Sequence, residues 1–264
     1  MNAANRSGRI RAENIAKRFV EKGGPPTMVL DACSFEIEPG KLTVLMGPSG
    51  CGKSTLAYLL AGYITPDAGS LSIDGAPIRD AGRDRMLVFQ ETALWPWMTV
   101  IDNVMFGPLA HAGVPRAQVR REAADLLRKF GLADFVNRYP NQLSGGMKRR
   151  AEIAQAIINQ PKMMILDEPF RGLDVMTREL MQEHYLRLFE ETHLTTLFIT
   201  SELEEAIFLA DRLLFMSAAP GRIMCEMEID LPHPRIFESL TTERYLGIKR
   251  EAMHVLAQAG VIDA

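Results

Sequence analysis

The sequence predicts an α/β fold, a mostly parallel sheet carrying an antiparallel β subdomain and an inserted helical subdomain. Three observations predict it. Short apolar runs of strand length alternate with helix-like stretches at 42–61 and again at 163–200, the pattern of βαβ units in a parallel sheet. Residues 10–40 read instead as short strands with nearly alternating apolar positions, broken by a Gly-Pro-rich turn at Gly23 to Pro26. Between about Glu91 and Gln160 the character is helical.

The elements follow in order. The first strands form a hairpin or meander. Leu42 to Met46 is a compact apolar strand, followed by the glycine-rich turn Gly47 to Gly52 and the helix STLAYLLAGY. After a turn at Pro66 to Gly69, SLSIDGAPI gives two short strands joined by Asp74-Gly75, and Met86 to Phe89 gives another. In the helical insert, RAQVRREAADLLRKFGL has apolar positions three and four apart and ends at Gly131. Met163 to Leu166 and Thr196 to Thr200 are strands, with the helix RELMQEHYLRLFEETH between them. Two short strands are expected beyond Pro220-Gly221, then a helical tail from about Thr242 to Gln258. The predicted organisation is one domain over 1–225, with a core of 1–90 and 160–225 and a helical subdomain of 91–159, and a C-terminal extension over 226–264.

Composition bounds the function classes. The chain has 264 residues, 47% hydrophobic and 24% charged, with 30 basic against 33 acidic side chains and a net charge of −3. A chain of this size buries roughly 70–75% of its unfolded surface and needs no staples. The longest apolar run, Leu56 to Ile64, is far short of the roughly 20 residues of a membrane-spanning helix. Three cysteines (Cys33, Cys51, Cys225) and an N-terminus without an apolar stretch point to a reducing cytosol. Mild acidity argues against nucleic acid as a partner.

Two motifs carry chemistry. Gly47, Pro48, Ser49, Gly50, Cys51, Gly52, Lys53 and Ser54 match GxxxxGK[ST] between a strand and a helix, the context this phosphate-binding loop requires. Its glycines turn successive N–H groups inward around a phosphate, the helix start adds positive charge, Lys53 reaches the β- and γ-phosphates and Ser54 ligates Mg²⁺; Thr55 closes the cofactor-binding segment. Asp167 and Glu168 end an apolar strand, where open α/β sheets bind ligands. Asp167 is expected to hold the metal through water, and Glu168 to orient or deprotonate the water that attacks the γ-phosphate. The expected cofactors are ATP and Mg²⁺.

A third motif, Leu143-Ser144-Gly145-Gly146-Met147, precedes a helix read as Lys148 to Asn159, a second anion-binding helix start. With it, the sequence resembles the ATP-binding cassette (ABC) ATPases, over roughly Ile10 to Ile223. Within them it is similar to the energising subunits of importers for nitrate, sulfonate and taurine, judged from ALWPWMTVIDNV, LADRLLFMSAAPGRI and LPHPR.

The resemblance implies a P-loop NTPase core of the RecA-like kind. It also implies a transport-coupled ATPase on the cytoplasmic face of the cell membrane, and a dimer, with itself or with a second ABC subunit, that sandwiches two ATP molecules. Ser144, Gly145 and Gly146 would contact the γ-phosphate bound by the partner subunit. Gln90 would sense the metal and the attacking water, and Leu173 and Asp174 would communicate across the dimer, though Arg171 and Gly172 are not the usual residues before them. Phe19 falls where an aromatic stacks on adenine, while a core aromatic would read the same. Gln90 to Met98, with Trp95 and Trp97, would form the docking face for transmembrane permease subunits; packing within the helical lobe is the alternative. The C-terminal helix would pack on the core or contact a partner.

One departure bears on catalysis. Where the family places a histidine on the γ-phosphate, this chain has Ser201. A shorter, uncharged side chain predicts intact ATP binding and slowed hydrolysis, since losing one transition-state donor costs roughly 10²- to 10³-fold. Lys148 and Gln155 replace a common glutamine and a common arginine after the signature. The alternative function is a hydrolysis-deficient ATP-binding or regulatory subunit of a heterodimeric complex. A small-molecule kinase would share the phosphate loop but has no use for LSGGM.

Overall fold

The computed structural model describes residues 7–20, 23–110 and 113–258. The first six residues of the N-terminus read above, together with His111, lie outside the described residues.

The opening strands β1 (Ile10–Val20) and β2 (Pro26–Ile37) pair antiparallel, and β1 also pairs with β4 (Ala68–Ile73), which turns at Asp74-Gly75 into β5 (Ala76–Pro77). These four make the antiparallel subdomain. Between them in sequence run β3 (Leu42–Met46) and helix α1 (Lys53–Ala61). The second sheet adds β6 (Arg85–Val88), β7 (Met163–Asp167), β8 (Thr195–Thr200), β9 (Arg212–Met216) and β10 (Ile223–Glu228) in the order β10-β9-β3-β8-β7-β6. It is parallel except for β10, which joins β9 antiparallel at the edge.

Strand periodicity divides the core. Val44 and Met46 on β3 face one way, with Leu166, Phe198 and Leu213, into the cluster shared with the helices that cover that side. Leu45, Ile165, Leu197 and Leu214 face the other way, onto Leu56 and Leu60 of α1, which lies between the two sheets and is covered by Ile10, Leu30 and Ile37. Only a strand with neighbours on both edges and both faces is buried at all five positions, as β3 and β7 are.

The helical lobe comprises α2 (Val100–Leu109), capped by Thr99, α3 (Arg116–Lys129) and α4 (Gly145–Ile157). Helix α5 (Val175–Thr192) links β7 to β8, α6 (Leu203–Leu209) links β8 to β9, and α7 (Glu243–Gln258) ends the described chain. That last helix packs on the core: its Tyr245, Ala252 and Leu256 join the same cluster as Phe208 on α6. Arg235 of LPHPR is buried and donates to Ala210 O at 2.5 Å, and the rings of Phe208 and Phe237 stack 4.8 Å apart.

Four expectations need correcting. One strand, not two, follows Pro220-Gly221; the other, β9, precedes it. Helix α6 was absent from the sequence prediction. Helix α4 begins at Gly145 rather than Lys148, and residues 91–99 precede the first helix of the lobe.

Candidate nucleotide site

Strand register brings the chemistry to one edge. Met46 lies opposite Thr200 and Asp167 opposite Ile199, so the segments that leave β3, β8 and β7, beginning at Gly47, Ser201 and Glu168, emerge together at the C-terminal end of the sheet.

The phosphate loop is shaped by its glycines. Gly50 (φ 77°) and Gly52 (φ 105°) are left-handed, and a Cβ on Gly52 would stand 2.7 Å from Leu30 Cδ2. Gly52 caps α1 without a side chain, so the first amides of the helix receive no side-chain acceptor and present their positive end. Lys53 is 5% exposed; its Nζ donates to Gly47 O at 2.8 Å and Pro48 O at 2.9 Å and stands 4.0 Å from Glu168 Oε1. Cys51 is buried in the loop, and burial pushes its thiol up. Ser54 and Thr55 are half-buried in the first turn.

Asp167 is 3% exposed, and its Oδ1 has no hydrogen-bond partner among the described residues. Burial pushes its carboxyl up, while the Ser54 hydroxyl beside it works the other way. An orphaned buried carboxylate oxygen next to a hydroxyl is the oxygen donor set a hard cation takes, so Ser54 and Asp167 fit Mg²⁺. Glu168 sits at φ 42°, a strained value for a residue with a side chain, with its N–H on Ile199 O at 2.9 Å. Its Oε2 accepts from Arg171 Nη1 at 2.8 Å. A cavity of about 190 Å³ opens beside it, with Ser49, Arg171, Arg178, Ser201 and Glu202 in its walls. Ser201 and Glu168 thus line the same cavity.

Gln90 is reached differently. Among the described residues its side chain makes no hydrogen bond to Ser54 or Asp167. Its backbone is gripped from the helical lobe: Arg149 donates to Phe89 O and Gln90 O, both at 2.6 Å. Arg149 pairs with Glu152 at 2.8 Å, and Glu152 accepts from Thr92 Oγ1 at 2.8 Å and from Ala93 N. Both charges are buried. Sequence reasoning missed this pair; its signal was two opposite charges three apart on a helix face otherwise apolar.

At the start of α4, the Ser144 hydroxyl accepts from Met147 N at 3.3 Å. Gly146 packs tightly, since a Cβ there would stand 2.7 Å from Thr177 Cγ2 on α5; Gly145 has more room, with Leu173 Cδ2 at 3.3 Å. Among the described residues no hydrogen bond joins Ser144, Gly145 or Gly146 to the phosphate loop of the same chain. Phe19 is 42% exposed near the end of β1, with Lys17 Nζ 5.6 Å above its ring, so it is no core aromatic. Trp97 is 67% exposed and packs with its ring tilted against Trp95 at 5.3 Å, as Trp95 does against Phe106 at 5.9 Å, beside an apolar cavity of about 360 Å³ bordered by Tyr63, Phe89 and Gln155.

Comparison with known proteins identifies the family and the fold. The ABC transporter family model matches residues 30–171. An uncharacterised ABC transporter ATP-binding protein of Methanocaldococcus jannaschii is 37% identical over 94% of this chain and 91% of its own. A taurine import ATP-binding protein of Chromobacterium violaceum is 44% identical over 81% of each chain. Among solved structures, the dimeric post-hydrolysis state of the ATP-binding cassette MJ0796 bound to ADP and Pi superposes with a TM-score of 0.74 at 28% identity, covering 84% of this chain and 100% of that one. The chain belongs to the ABC transporter family, as one of its cassette ATPases.

Proposed function

We propose that this chain is the ATP-hydrolysing subunit that energises a membrane importer of a small solute. The carrying observation is the pair Asp167–Glu168 at the sheet edge, with Glu168 Oε1 4.0 Å from Nζ of the phosphate-loop lysine. Gly47 to Thr55 bind the phosphates, Phe19 offers the adenine a face, and Ser54 and Asp167, with Gln90 brought in on closure, hold Mg²⁺. Held by Ser54, Asp167 and Gln90, the metal would supply charge neutralisation at the phosphates. Glu168 takes a proton from water as the water oxygen bonds to the γ-phosphorus and the bond to the β–γ bridging oxygen breaks, giving ADP and phosphate.

Among the described residues Ser144, Gly145 and Gly146 make no hydrogen bond to their own phosphate loop, which supports a role for them on a partner's nucleotide, as do the dimeric cassettes among the structural neighbours. The exposed Trp95–Trp97 pair, together with the grip of α4 on Gln90, supports docking of a permease segment near Gln90 to Met98, at the cytoplasmic face of the membrane. The taurine import relatives support a small, sulfonate-like solute. Ser201 in the Glu168 cavity supports slow intrinsic hydrolysis. Steady-state phosphate release with Mg²⁺ and ATP tests the reading. Turnover abolished by Glu168→Gln upholds it, and binding without turnover, rescued by Ser201→His, assigns the chain instead to the hydrolysis-deficient role in a heterodimer.

A further inference from the structure

We propose that Arg171 is a positioning residue for hydrolysis, the group that holds the Glu168 carboxylate toward the attacking water; the inference rests on Glu168 being the general base. The backbone of Glu168 is fixed by its strained φ and its bond to Ile199 O. Its carboxylate, at the end of three rotatable bonds, is not fixed by that alone. Lys53 is paired with it only at 4.0 Å, beyond hydrogen-bond reach, because the ammonium donates to Gly47 O and Pro48 O. Arg178, in the same cavity, turns its Nη2 to Leu173 O at 3.4 Å. Arg171 is the residue that engages the carboxylate, Nη1 to Oε2 at 2.8 Å.

The turn that presents it is itself anchored. Arg171 N donates to Glu168 O at 3.2 Å, and the buried Phe170 ring packs on Phe198 of β8 at 5.5 Å. Arg171 therefore projects from a held backbone across the mouth of the cavity that Ser49 and Ser201 also line. With its side chain 60% exposed, the ion pair adds little to fold stability. Orientation of the base is what the contact supplies. This separates the assignment from a structural one, because a positioning role moves turnover and leaves melting unchanged.

The test uses the full chain with Arg171→Ala and Arg171→Lys, each also in a Glu168→Gln background, measured by phosphate release against ATP concentration and by thermal melting. Arg171→Ala is expected to lower kcat about tenfold or more with KM and Tm unchanged. Arg171→Lys should recover part of the loss, keeping the charge without the fork. In single-turnover reactions of the Glu168→Gln chain, Arg171→Ala should add no further loss. An unchanged or raised kcat in Arg171→Ala, or the same loss with and without Glu168, overturns the assignment alone. Wild-type turnover by Glu168→Gln overturns the general-base reading and Arg171 with it.

Discussion

The two helix starts that this chain offers to anions, α1 and α4, are built in opposite ways. Helix α1 is capped by a glycine, leaves its first amides without a side-chain acceptor, and carries a buried lysine within reach of Glu168. Helix α4 is capped by Ser144, exposes Ser144 and Gly145, and turns its buried charges back onto the Gln90 segment instead of onto the phosphate loop. On the proposed reading the first start is half of a site that Asp167 and Glu168 complete within its own chain. The second is a half with no complement in its own chain among the described residues, wired to the loop that precedes the exposed tryptophans. On the proposed reading the contrast would let one cassette act through another: closure over nucleotide would shift α4, and α4 would carry the Gln90 segment with it through Arg149.

The sharpest way to break the comparison is at the α1 side. Glu168→Gln should cost roughly 10²- to 10⁴-fold in turnover while ATP binding persists; equal loss of binding would mean that Glu168 supports the loop rather than the chemistry. Ser201→His should raise turnover, by at most roughly 10²- to 10³-fold. No change in phosphate release would show that the serine does not limit the step. On the α4 side, Arg149→Ala leaves Glu152 buried and unpaired, and thermal or denaturant unfolding should register a loss of about 3–5 kcal/mol. A variant that unfolds like the wild type would deny the grip on Gln90 its buried character. Ser144→Ala removes a cap and should cost about 1 kcal/mol.

A pH effect sharpens the α1 side further. Burial raises the folded-state pKa of Asp167 above its unfolded value, so protonation favours the fold as pH falls through that raised value, and the charged form is disfavoured above it. Metal binding needs the charged form. Mg²⁺-dependent ATP affinity should therefore weaken over the same acid window in which Tm rises, and Asp167→Asn should raise Tm while losing that affinity. An Asp167→Asn chain that melts lower at neutral pH would contradict this.

How much of this was legible in the sequence depended on contiguity. The phosphate loop and the Asp167–Glu168 strand end are each written in one short run whose strand or helix context is local, and the structure placed both as read. Ser201 was singled out through the family resemblance, as the residue after an apolar strand where the family places a histidine. Helix α6, seven residues long, is too short to show a period, and β9 follows it without a glycine or proline between them. Two glycines hid the true start of α4, since glycine argues against a helix interior yet is tolerated in a first turn. The hold of Arg149 on Gln90 and of Glu152 on Ala93 spans some sixty residues, and no local pattern predicts such contacts.

The most direct test of the central claim, that α4 completes a site on another cassette, is Gly145→Asp, followed by ATP binding and phosphate release side by side. Gly145 is exposed and its Cβ would meet only the flexible end of Leu173, so the carboxylate enters an intact fold and repels a phosphate there. The account predicts ATP bound as tightly as before and turnover reduced by at least about tenfold. Turnover at the unaltered rate would contradict it.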